Sequence, residues 1–347
     1  MKVLLVSPLP PPVGGIASWT VEYMDQMPKL GCTPVLINSA VIGKRLKNVS
    51  KVDYLEEVLR LRKLKSQMKR ALKQNDISVI HYNASCSSLG LIRDYLVLRS
   101  FFKRYPVVYH CHCNLETNIN NRFARRFFAK IAKRSACMLL LNQRSYLYAK
   151  RFTDKVRLVP NFIDQVYVEQ PIINETLKNI AFVGRVSKSK GVHELLEAAK
   201  KMPQLVFHMI GPDQDHILEN INLKNVVTYG AKTHDKVIDL LKTMDALVLP
   251  SYSEGFPLVV MEAMACGLPV IATAVGSISD MIKEKGGLLI PVKDSHAIVQ
   301  ALLKISDQDV RRDMGSYNLG KVKQEYLSKK VLSDLISLYG QLSGGNA

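Results

Sequence analysis

Short apolar runs alternate with amphipathic stretches along the whole chain, and this alternation restricts the fold more than any other feature. Six runs lie in the first half, at residues 2–7, 33–38, 77–82, 106–112, 136–142 and 156–160. A second series follows at residues 179–184, 205–211, 226–229, 246–250, 270–273 and 287–290. Strands that alternate with helices are typical of α/β proteins with parallel sheets. We therefore predict two doubly wound domains that face each other across a cleft.

The length of the chain also indicates two domains. Its 347 residues exceed what one hydrophobic core usually organises, because single cores stop growing near ~250–300 residues. Residues 161–178 contain Pro171 and little periodicity, which is typical of a linker. We place the domains at residues 1–165 and 166–329. Ligands of such sheets bind outside the carboxyl ends of the strands, so the loops that follow the strands are the places to search.

Composition excludes several classes of protein. The chain is 47% hydrophobic and 22% charged, as in soluble globular proteins. Its apolar runs fall short of the ~18–20 residues of a bilayer span, and the N-terminal run is too short for a secretion signal. Most of the six cysteines lie in apolar stretches, as buried thiols of a reducing compartment do. We expect a cytoplasmic protein.

The net charge of +18 lies entirely in the first half. Residues 1–164 hold 28 basic and 10 acidic side chains, whereas the remainder holds 20 of each. Residues 44–73 alone hold eleven basic and three acidic side chains. On a helical projection of residues 121–134, one side holds the phenylalanines with small and aliphatic residues, namely Phe123, Ala124, Phe127, Phe128 and Ile131. The other side holds the basic residues Arg122, Arg125, Arg126, Lys130 and Lys133. This pattern fits a helix in an anionic membrane interface, and it fits equally a basic amphipathic helix that packs on a core.

The segment 251–273 offers two carboxylates. Glu254 follows a strand, and Glu262 lies on the next helix, which Pro257 begins and which Gly267 and Pro269 end after about three turns. Carboxylates accept paired hydrogen bonds, so the vicinal hydroxyls of a ribose or hexose suit them. A capping acid and a solvated glutamate would explain the same pattern.

Residues 179–202 predict an anion site. Arg185 and Lys190 lie in the loop between a strand and a helix that begins near Gly191. Basic side chains act together with the unpaired N–H groups of a helix N-terminus on an anion, and diphosphate is the expected one. Lysines in a surface loop are also often merely solvated.

Two further segments follow strands of the first half. Gly14 and Gly15 let the backbone approach a phosphate or sugar, although the spacing of the dinucleotide fingerprint is absent and a plain tight turn explains the pair equally well. His110 and His112 share one strand face, while Cys111 and Cys113 share the other. This division, and the absence of a second ligand cluster, argue against zinc. We expect one histidine to hydrogen-bond a ligand, with a histidine satisfied within the core as the alternative.

Together these segments resemble the GT-B glycosyltransferases, specifically the retaining glycosyltransferase family 4. The resemblance covers nearly the whole chain: the glycine loop, the histidine at a strand end, residues 160–164, the GR-x4-KG loop, the block from EGFP to PVIAT, and a final helix that contains a tyrosine. The EGFP to PVIAT block is the most specific of these motifs. The resemblance implies that the last helix, about 330–347, packs on the N-terminal domain.

The resemblance also implies roles for individual residues. Glu254 would contact the transferred sugar, and Glu262 would bind the ribose. His112 matches the active-site histidine better than His110, which leaves the choice between the two open. The other donor-binding positions would be Gly14, Gly15, Arg185, Lys190, Gly255, Phe256, Pro257 and Leu258, together with Gly230, Ala231 and Lys232, which would lie near the base.

We therefore predict a retaining glycosyltransferase of cell-surface glycan synthesis that needs no metal or other cofactor. Its donor would be a nucleotide-sugar, with UDP-sugar as the commonest class, and its acceptor a glycan or lipid-linked saccharide. Residues 44–134 would bind the inner face of the cytoplasmic membrane. The alternatives are a GT-B sugar epimerase or phosphorylase, and a basic nucleic-acid-binding protein without catalysis. No recognised nucleic-acid motif accompanies the charge, so we expect no nucleic-acid partner.

Overall fold

The computed structural model describes residues 1–11, 14–40, 54–168, 173–219 and 221–344, with side chains of the second helix described from residue 57. The chain divides into two compact units. Unit 1 comprises Met1–Asn161 with Ser328–Ala347, and unit 2 comprises Phe162–Leu327. These limits lie within four residues of the domain boundaries that the sequence analysis gives.

Unit 1 contains a six-stranded parallel sheet with the strand order β2-β1-β3-β4-β5-β6. The strands are β1 Lys2–Ser7, β2 Thr33–Asn38, β3 Val79–Ala84, β4 Val107–Cys111, β5 Cys137–Leu140 and β6 Val156–Leu158. The helices are α1 Gly15–Lys29, α2 Tyr54–Gln74, α3 Ser88–Leu98, α4 Leu115–Asn118, α5 Arg122–Arg134 and α6 Gln143–Lys150, with α13 Ser328–Gly344 returning from the end of the chain.

The two faces of this sheet carry different helices, and β3 shows the division. His81 contacts α1 and α13, whereas Tyr82 points the opposite way and donates a 2.6 Å hydrogen bond to Asp94 of α3. On that second side α3 packs between α2 and α5. Both faces are therefore covered, as an all-parallel sheet requires, and β3 and β4 are buried throughout.

Unit 2 contains a second six-stranded parallel sheet with the order β12-β11-β10-β7-β8-β9. The strands are β7 Asn179–Val183, β8 Val206–Ile210, β9 Val226–Gly230, β10 Ala246–Leu249, β11 Val270–Thr273 and β12 Gly287–Ile290. The helices are α7 Val192–Lys201, α8 His234–Leu241, α9 Leu258–Ala265, α10 Ile278–Ile282, α11 Ser295–Lys304 and α12 Gln308–Lys321. All twelve predicted strands are present, and the predicted fold class of two Rossmann-like domains is confirmed.

Each sheet has one point where the strand order reverses. In unit 1 the chain leaves β1 towards β2 on one side and later continues from β3 towards β6 on the other. In unit 2 the reversal lies between β7 and β10. Open α/β sheets bind ligands outside the carboxyl ends of the strands at such a point, so the loops that follow these strands are the candidate sites.

The structure corrects the predictions for two helices, α9 and α5. Pro257 precedes α9 as its N-cap, and α9 spans eight residues rather than three turns. In α5, Phe128 is buried in the core while Phe123 is 72% exposed, so the phenylalanines do not form one face.

Residues 44–53 of the predicted basic segment and residues 12–13 of the glycine loop lie outside the described residues. Within the described ranges, every helix is too short or too polar to cross a bilayer.

The ends of β7 and β8 approach so closely that only glycine fits between them. Gly211 has a φ of +146°, and a Cβ built on it would lie 1.9 Å from the carbonyl oxygen of Gly184. We expect Gly211→Ala to lower stability by about 2–3 kcal/mol, because the backbone of both strand ends must shift. Thermal unfolding of the purified chain measures this.

Gly320 is the matched control for this substitution. It lies in α12, and a Cβ there would meet no atom within 4 Å. Gly320→Ala should raise stability by about 0.5–1 kcal/mol, because it replaces a helical glycine. Equal unfolding temperatures for both variants would contradict the packing argument.

Candidate active site

The loops after β7 and β10 meet at the switch point of unit 2 and bring opposite charges together. Lys190 Nζ lies 2.5 Å from Glu254 Oε1, and their side chains are only 19% and 11% exposed. The sequence places both residues in loops, and the structure shows that neither is a solvated surface charge. A lysine and a carboxylate at this position can act on the phosphate and the sugar of one ligand.

Backbone packing holds these two loops in register. Gly191 has a φ of +70°, and a Cβ on it would lie 2.1 Å from the carbonyl oxygen of Pro250 at the end of β10. The N–H of Tyr252 donates a 2.9 Å hydrogen bond to the Ser189 carbonyl. The glycine therefore allows the start of α7 to pack directly against the loop that carries Glu254.

Arg185 lies at the start of the same β7 loop, where it is exposed and its Nη1 donates to Gln214 Oε1 at 3.3 Å. An open depression surrounds it. The residues that line this depression are Arg185, Ser187, Lys188, Ser189, Gln214, Asp215 and Tyr252. Hydroxyl groups and cations dominate this lining, which suits an anionic or hydroxylated ligand.

Glu262 lies on α9 and is nearly buried, with 10% of its side chain exposed. Its Oε1 lies 3.1 Å from Nε2 of His234, the first residue of α8. The edge of the Tyr167 ring packs on the His234 ring, with 4.8 Å between the centroids. The two predicted carboxylates thus have different partners, since Glu254 is paired with a lysine and Glu262 with a histidine.

The predicted residues 230–232 lead into α8, and so into the contact with Glu262. Gly230 ends the edge strand β9 with a φ of +65°, while Ala231 and Lys232 are exposed. These exposed backbone groups remain predicted to bind the base.

The backbone of the EGFP segment, residues 254–257, packs closely on residues 276 and 277. The N–H of Ser277 donates to the Gly255 carbonyl, and a Cβ on Gly276 would lie 2.3 Å from the Glu254 carbonyl. Phe256 is buried against the ring of Tyr326, and Pro257 and Leu258 lead into α9. The backbone around Glu254 is therefore rigidly supported.

In unit 1 the glycine pair begins α1, directly after β1. Gly14 caps the helix and Gly15 is its first residue. A Cβ on either glycine would meet no atom within 4 Å. The packing of unit 1 therefore does not require glycine at these positions, and the approach of a ligand to them stays a prediction.

The two histidines of β4 lie side by side, with ring centroids 4.0 Å apart. His110 is completely buried, whereas His112 follows the last residue of the strand and is partly exposed. His112 can therefore contact a ligand without a rearrangement, and His110 cannot. The assignment of His112 rather than His110 as the active-site histidine remains a prediction, which this difference in exposure supports.

A third histidine, His81 of β3, completes a cluster. Its Nε2 lies 3.0 Å from Asn83 Oδ1 and 3.3 Å from His110 Nδ1, and Asn83 Oδ1 lies 3.0 Å from His112 Nε2. Burial lowers the pKa of both His81 and His112 to about 3 and the pKa of His110 well below its usual value. The cluster is therefore neutral at physiological pH.

The cysteines beside these histidines belong to the opposite face of the sheet, as strand alternation predicts. Cys111 is buried in the core, and burial raises its pKa. Among the residues that the structure describes, no group of three or more histidine, cysteine or acidic side chains is arranged to hold a metal ion. Independence from metals remains a prediction.

Three residues of these clusters were not predicted, namely His81, Asn83 and His234. Residues 81 and 83 follow the period of a strand beside the switch point, and this signal could have found them. Tyr339 is the tyrosine noted in the last helix, but no local pattern could have predicted its contact with His81 across 258 positions of sequence. His234 is missed for the same reason, since its partner is 28 positions away.

Two family models match adjacent parts of the chain. Residues 13–166 match the model described as Glycosyltransferase Family 4, and residues 165–320 match the model described as Glycosyl transferases group 1. Together the matches reach from the start of unit 1 to the end of α12.

Among curated proteins, N-acetyl-alpha-D-glucosaminyl L-malate synthase of Bacillus anthracis is 30% identical over 53% of this chain and 53% of its own length. The putative teichuronic acid biosynthesis glycosyltransferase TuaC of Bacillus subtilis is 36% identical over 37% of this chain and 33% of its own length. The chain therefore spans about half, or less, of these two relatives.

Solved structures match over nearly the whole chain. Sucrose-phosphate synthase from Thermosynechococcus elongatus superposes with a TM-score of 0.82 at 19% identity, covering 99% of both chains. Anabaena Alr3699/HepE in complex with UDP and glucose gives a TM-score of 0.75 at 17% identity, covering 99% of this chain and 100% of that one. These similarities establish the fold.

The fold and the matched models define a class of enzyme, the glycosyltransferases with two Rossmann-like domains. The chain belongs to the glycosyltransferases of the GT-B fold.

If Glu262 binds the ribose, as the resemblance implies, its contact with His234 predicts how UDP binding responds to substitution. Glu262→Gln should weaken the binding of UDP by about 10- to 100-fold, because it removes a charged hydrogen-bond acceptor. His234→Ala should weaken it by about three- to tenfold, because Glu262 then loses one partner that orients it. Isothermal titration calorimetry of the full chain with UDP measures both.

His296→Ala is the control, because His296 is an exposed histidine on α11. It should leave the affinity unchanged. If Glu262→Gln binds UDP as the wild type does, Glu262 contributes to the structure around α9 and does not bind the nucleotide.

Proposed function

We propose that the protein is a retaining glycosyltransferase of family 4 that moves a sugar from a UDP-sugar to a glycan or lipid-linked saccharide. The observation that carries this proposal is the pairing of Lys190 with Glu254 at the switch point of unit 2. This pairing joins a cation that suits a diphosphate to a carboxylate that suits sugar hydroxyls, at the edge where such sheets bind ligands.

Each charged residue of unit 2 has one role in this proposal. Lys190 and Arg185 neutralise the diphosphate, and the N-terminus of α7 beside them contributes its partial positive charge. Glu254 orients the transferred sugar through its hydroxyl groups. Glu262, oriented by His234, binds the two hydroxyls of the ribose. His112 of unit 1, the better match to the active-site histidine, hydrogen-bonds the transferred sugar in this proposal.

The chemical step needs stabilisation of the leaving group. The bond between the anomeric carbon and the diphosphate oxygen breaks, and the acceptor oxygen forms the new bond on the same face of the sugar. The acceptor proton passes to the departing phosphate. Negative charge grows on the diphosphate during this step, so fixed cations there lower the barrier without a metal ion.

UDP is the proposed nucleotide because a structural neighbour of the same fold, Alr3699/HepE, is described in complex with UDP and glucose. Cell-surface polysaccharide synthesis is the proposed process because TuaC is named for teichuronic acid biosynthesis. The chain offers positions for base recognition at Gly230, Ala231 and Lys232, where exposed backbone follows β9.

The acceptor side of the proposal rests on the charge of unit 1. Helices α2, α3 and α5 lie side by side on one face of its sheet. Their outer surfaces expose many basic residues and the ring of Phe123. The exposed basic residues are Arg62, Lys63, Lys69, Arg70, Lys73, Arg99, Arg122, Arg125, Arg126, Lys133 and Arg134. We propose that this basic surface binds anionic lipids at the inner face of the cytoplasmic membrane, where lipid-linked acceptors lie.

A panel of nucleotide-sugars tests the donor. UDP-sugars at ~100 times the dissociation constant should add ~2.7 kcal/mol to the stability of the chain, which thermal shift detects. NMR of the product formed with the stabilising donor should then show the anomeric configuration of that donor. Lys190→Met should abolish the thermal shift, whereas Lys285→Met, at an exposed loop position of unit 2, should retain it.

Two results would contradict this proposal. An inverted product would exclude retention while leaving transfer intact. Stabilisation by no nucleotide-sugar at all would exclude the donor site.

Vesicle sedimentation tests the basic surface. Arg122 and Arg126 lie exposed at the start of α5, so reversing their charges leaves the packed face of the helix unchanged. Arg122→Glu with Arg126→Glu should lower binding to anionic vesicles by at least about thirtyfold, because each lost cation removes ~1 kcal/mol and each added carboxylate is repelled by the surface. Binding should also fall at high salt, because exposed charges are screened.

The matched control reverses two exposed loop lysines of unit 2, Lys224→Glu with Lys285→Glu. It should bind the vesicles as the wild type does. Equal binding of the wild type to anionic and neutral vesicles would exclude the lipid surface.

A further inference from the structure

A chain of buried hydrogen bonds runs from the backbone of α1 to His112. Thr20 Oγ1 lies 2.7 Å from the Ile16 carbonyl oxygen and 2.5 Å from Ser7 Oγ. Ser7 Oγ lies 2.8 Å from Asn83 Nδ2, and Asn83 Oδ1 lies 3.0 Å from His112 Nε2. Three of these side chains, Thr20, Ser7 and Asn83, are almost completely buried, so each proton in the chain has few alternative positions.

The Ile16 carbonyl fixes the direction of each hydrogen bond between it and His112. A backbone carbonyl can only accept, so the Thr20 hydroxyl donates to Ile16. Because Thr20 has one hydroxyl proton, its oxygen must accept from the Ser7 hydroxyl. Ser7 has then used its own proton and must accept from Asn83. The amide nitrogen of Asn83 therefore faces Ser7.

The orientation of the amide decides the protonation of two imidazole rings. With its nitrogen towards Ser7, Asn83 presents Oδ1 to Nε2 of both His81 and His112. An amide oxygen only accepts, so both rings must carry their proton on Nε2. In the neutral ring of His112, Nδ1 is then the nitrogen that can accept a hydrogen bond from a ligand.

The contacts of the other ring nitrogen of His81, Nδ1, agree with this assignment. Its Nδ1 lies 2.5 Å from Tyr339 Oη, and Tyr339 Oη lies 3.2 Å from Tyr23 Oη. An unprotonated Nδ1 accepts from the Tyr339 hydroxyl, which in turn accepts from Tyr23. Burial raises the pKa of both tyrosines, so both keep the protons that this chain requires.

We propose that Thr20, Ser7 and Asn83 are positioning residues that hold His112 as the neutral tautomer protonated on Nε2. Its Nδ1 then accepts a hydrogen bond from a hydroxyl of the transferred sugar, a role that rests on the proposed function. The tautomer itself does not depend on that function, because it follows from hydrogen bonds within unit 1.

An amide suits this task better than a carboxylate. A carboxylate at position 83 would also accept from both rings, but its charge would favour the imidazolium form, which cannot accept a hydrogen bond from a sugar. Asn83 orients the ring without adding a charge. The low pKa of His112, which burial causes, keeps the ring neutral at physiological pH.

Long-range ¹H–¹⁵N NMR of the full chain with labelled histidine tests the tautomer directly, because it distinguishes protonated from unprotonated ring nitrogens. The His112 signals are assigned by their loss in His112→Gln. In the wild type we expect a neutral ring with its proton on Nε2. In Thr20→Val the Ser7 hydroxyl loses its acceptor and can donate to Asn83 instead, which reverses the amide. A population protonated on Nδ1 should then appear.

Ser7→Ala provides a second route to the same result, because it removes the acceptor of the Asn83 amide nitrogen. Ser135→Ala is the matched control: Ser135 is also a buried hydroxyl of unit 1 that donates to a backbone carbonyl four residues earlier, at 2.9 Å, but it contacts no histidine. It should leave all histidine signals in place. A wild-type ring protonated on Nδ1, or signals unchanged in both Thr20→Val and Ser7→Ala, would overturn the proposal.

Transfer rates give the second readout. With the donor found by the nucleotide-sugar panel, Thr20→Val should lower kcat by about ten- to hundredfold, the effect of one misdirected hydrogen bond, with little change in the KM for the donor. Ser135→Ala should retain the wild-type kcat. If no donor supports transfer, the proposed function fails, whereas the NMR experiment still decides the tautomer. An altered tautomer with an unchanged kcat would remove Nδ1 from the reaction.

Discussion

Both candidate sites depend on one property of doubly wound sheets, the reversal of strand order. Where the order reverses, the helices that follow the two neighbouring strands lie on opposite faces of the sheet, so neither helix covers the strand ends. In unit 2 the reversal lies between β7 and β10, and the loops after these strands carry Lys190 and Glu254. In unit 1 it lies between β1 and β3, and the residues there are Ser7 and Asn83. The strand order of each sheet thus determines which loops are neighbours, and so which side chains can come into contact.

The contact between Lys190 and Glu254 also has a consequence for ligand binding. Two charges that are mostly buried stabilise each other only while they remain paired, since an unpaired buried charge is costly. A diphosphate near Lys190 and a sugar hydroxyl near Glu254 would replace each partner with another polar group. The pair therefore keeps both side chains in place before the ligand arrives, and Gly191 and Gly276 hold the backbones that carry them.

Sequence reasoning predicted the fold well because its signals are local. The strands of a parallel sheet are short buried runs, and all twelve could be read from hydrophobicity and the turns that bound them. Several residues with predicted site roles also lie at the ends of these strands, as with Arg185 after β7. Partners could not be predicted in this way, because a pairing such as that of His234 with Glu262 depends on how two helices pack. Periodicity likewise suggested a continuous aromatic face on α5, but Phe128 is buried against the rings of Tyr148 and Phe152, whereas Phe123 is exposed.

The last helix, α13, belongs to unit 1 and contributes Tyr339 to the histidine cluster. Without α13, His81 would lose the Tyr339 hydroxyl that its Nδ1 accepts from, and a buried ring nitrogen without a partner is unfavourable. The hydrogen bond from His81 Nε2 to Asn83 Oδ1 would keep its direction, because an amide oxygen only accepts, but Nδ1 of the same ring would lose its donor. Tyr339 therefore satisfies one end of the histidine cluster, while the Ile16 carbonyl orients the other end through Thr20 and Ser7. Asn83 lies between these two ends and accepts hydrogen bonds both from buried His81 and from partly exposed His112.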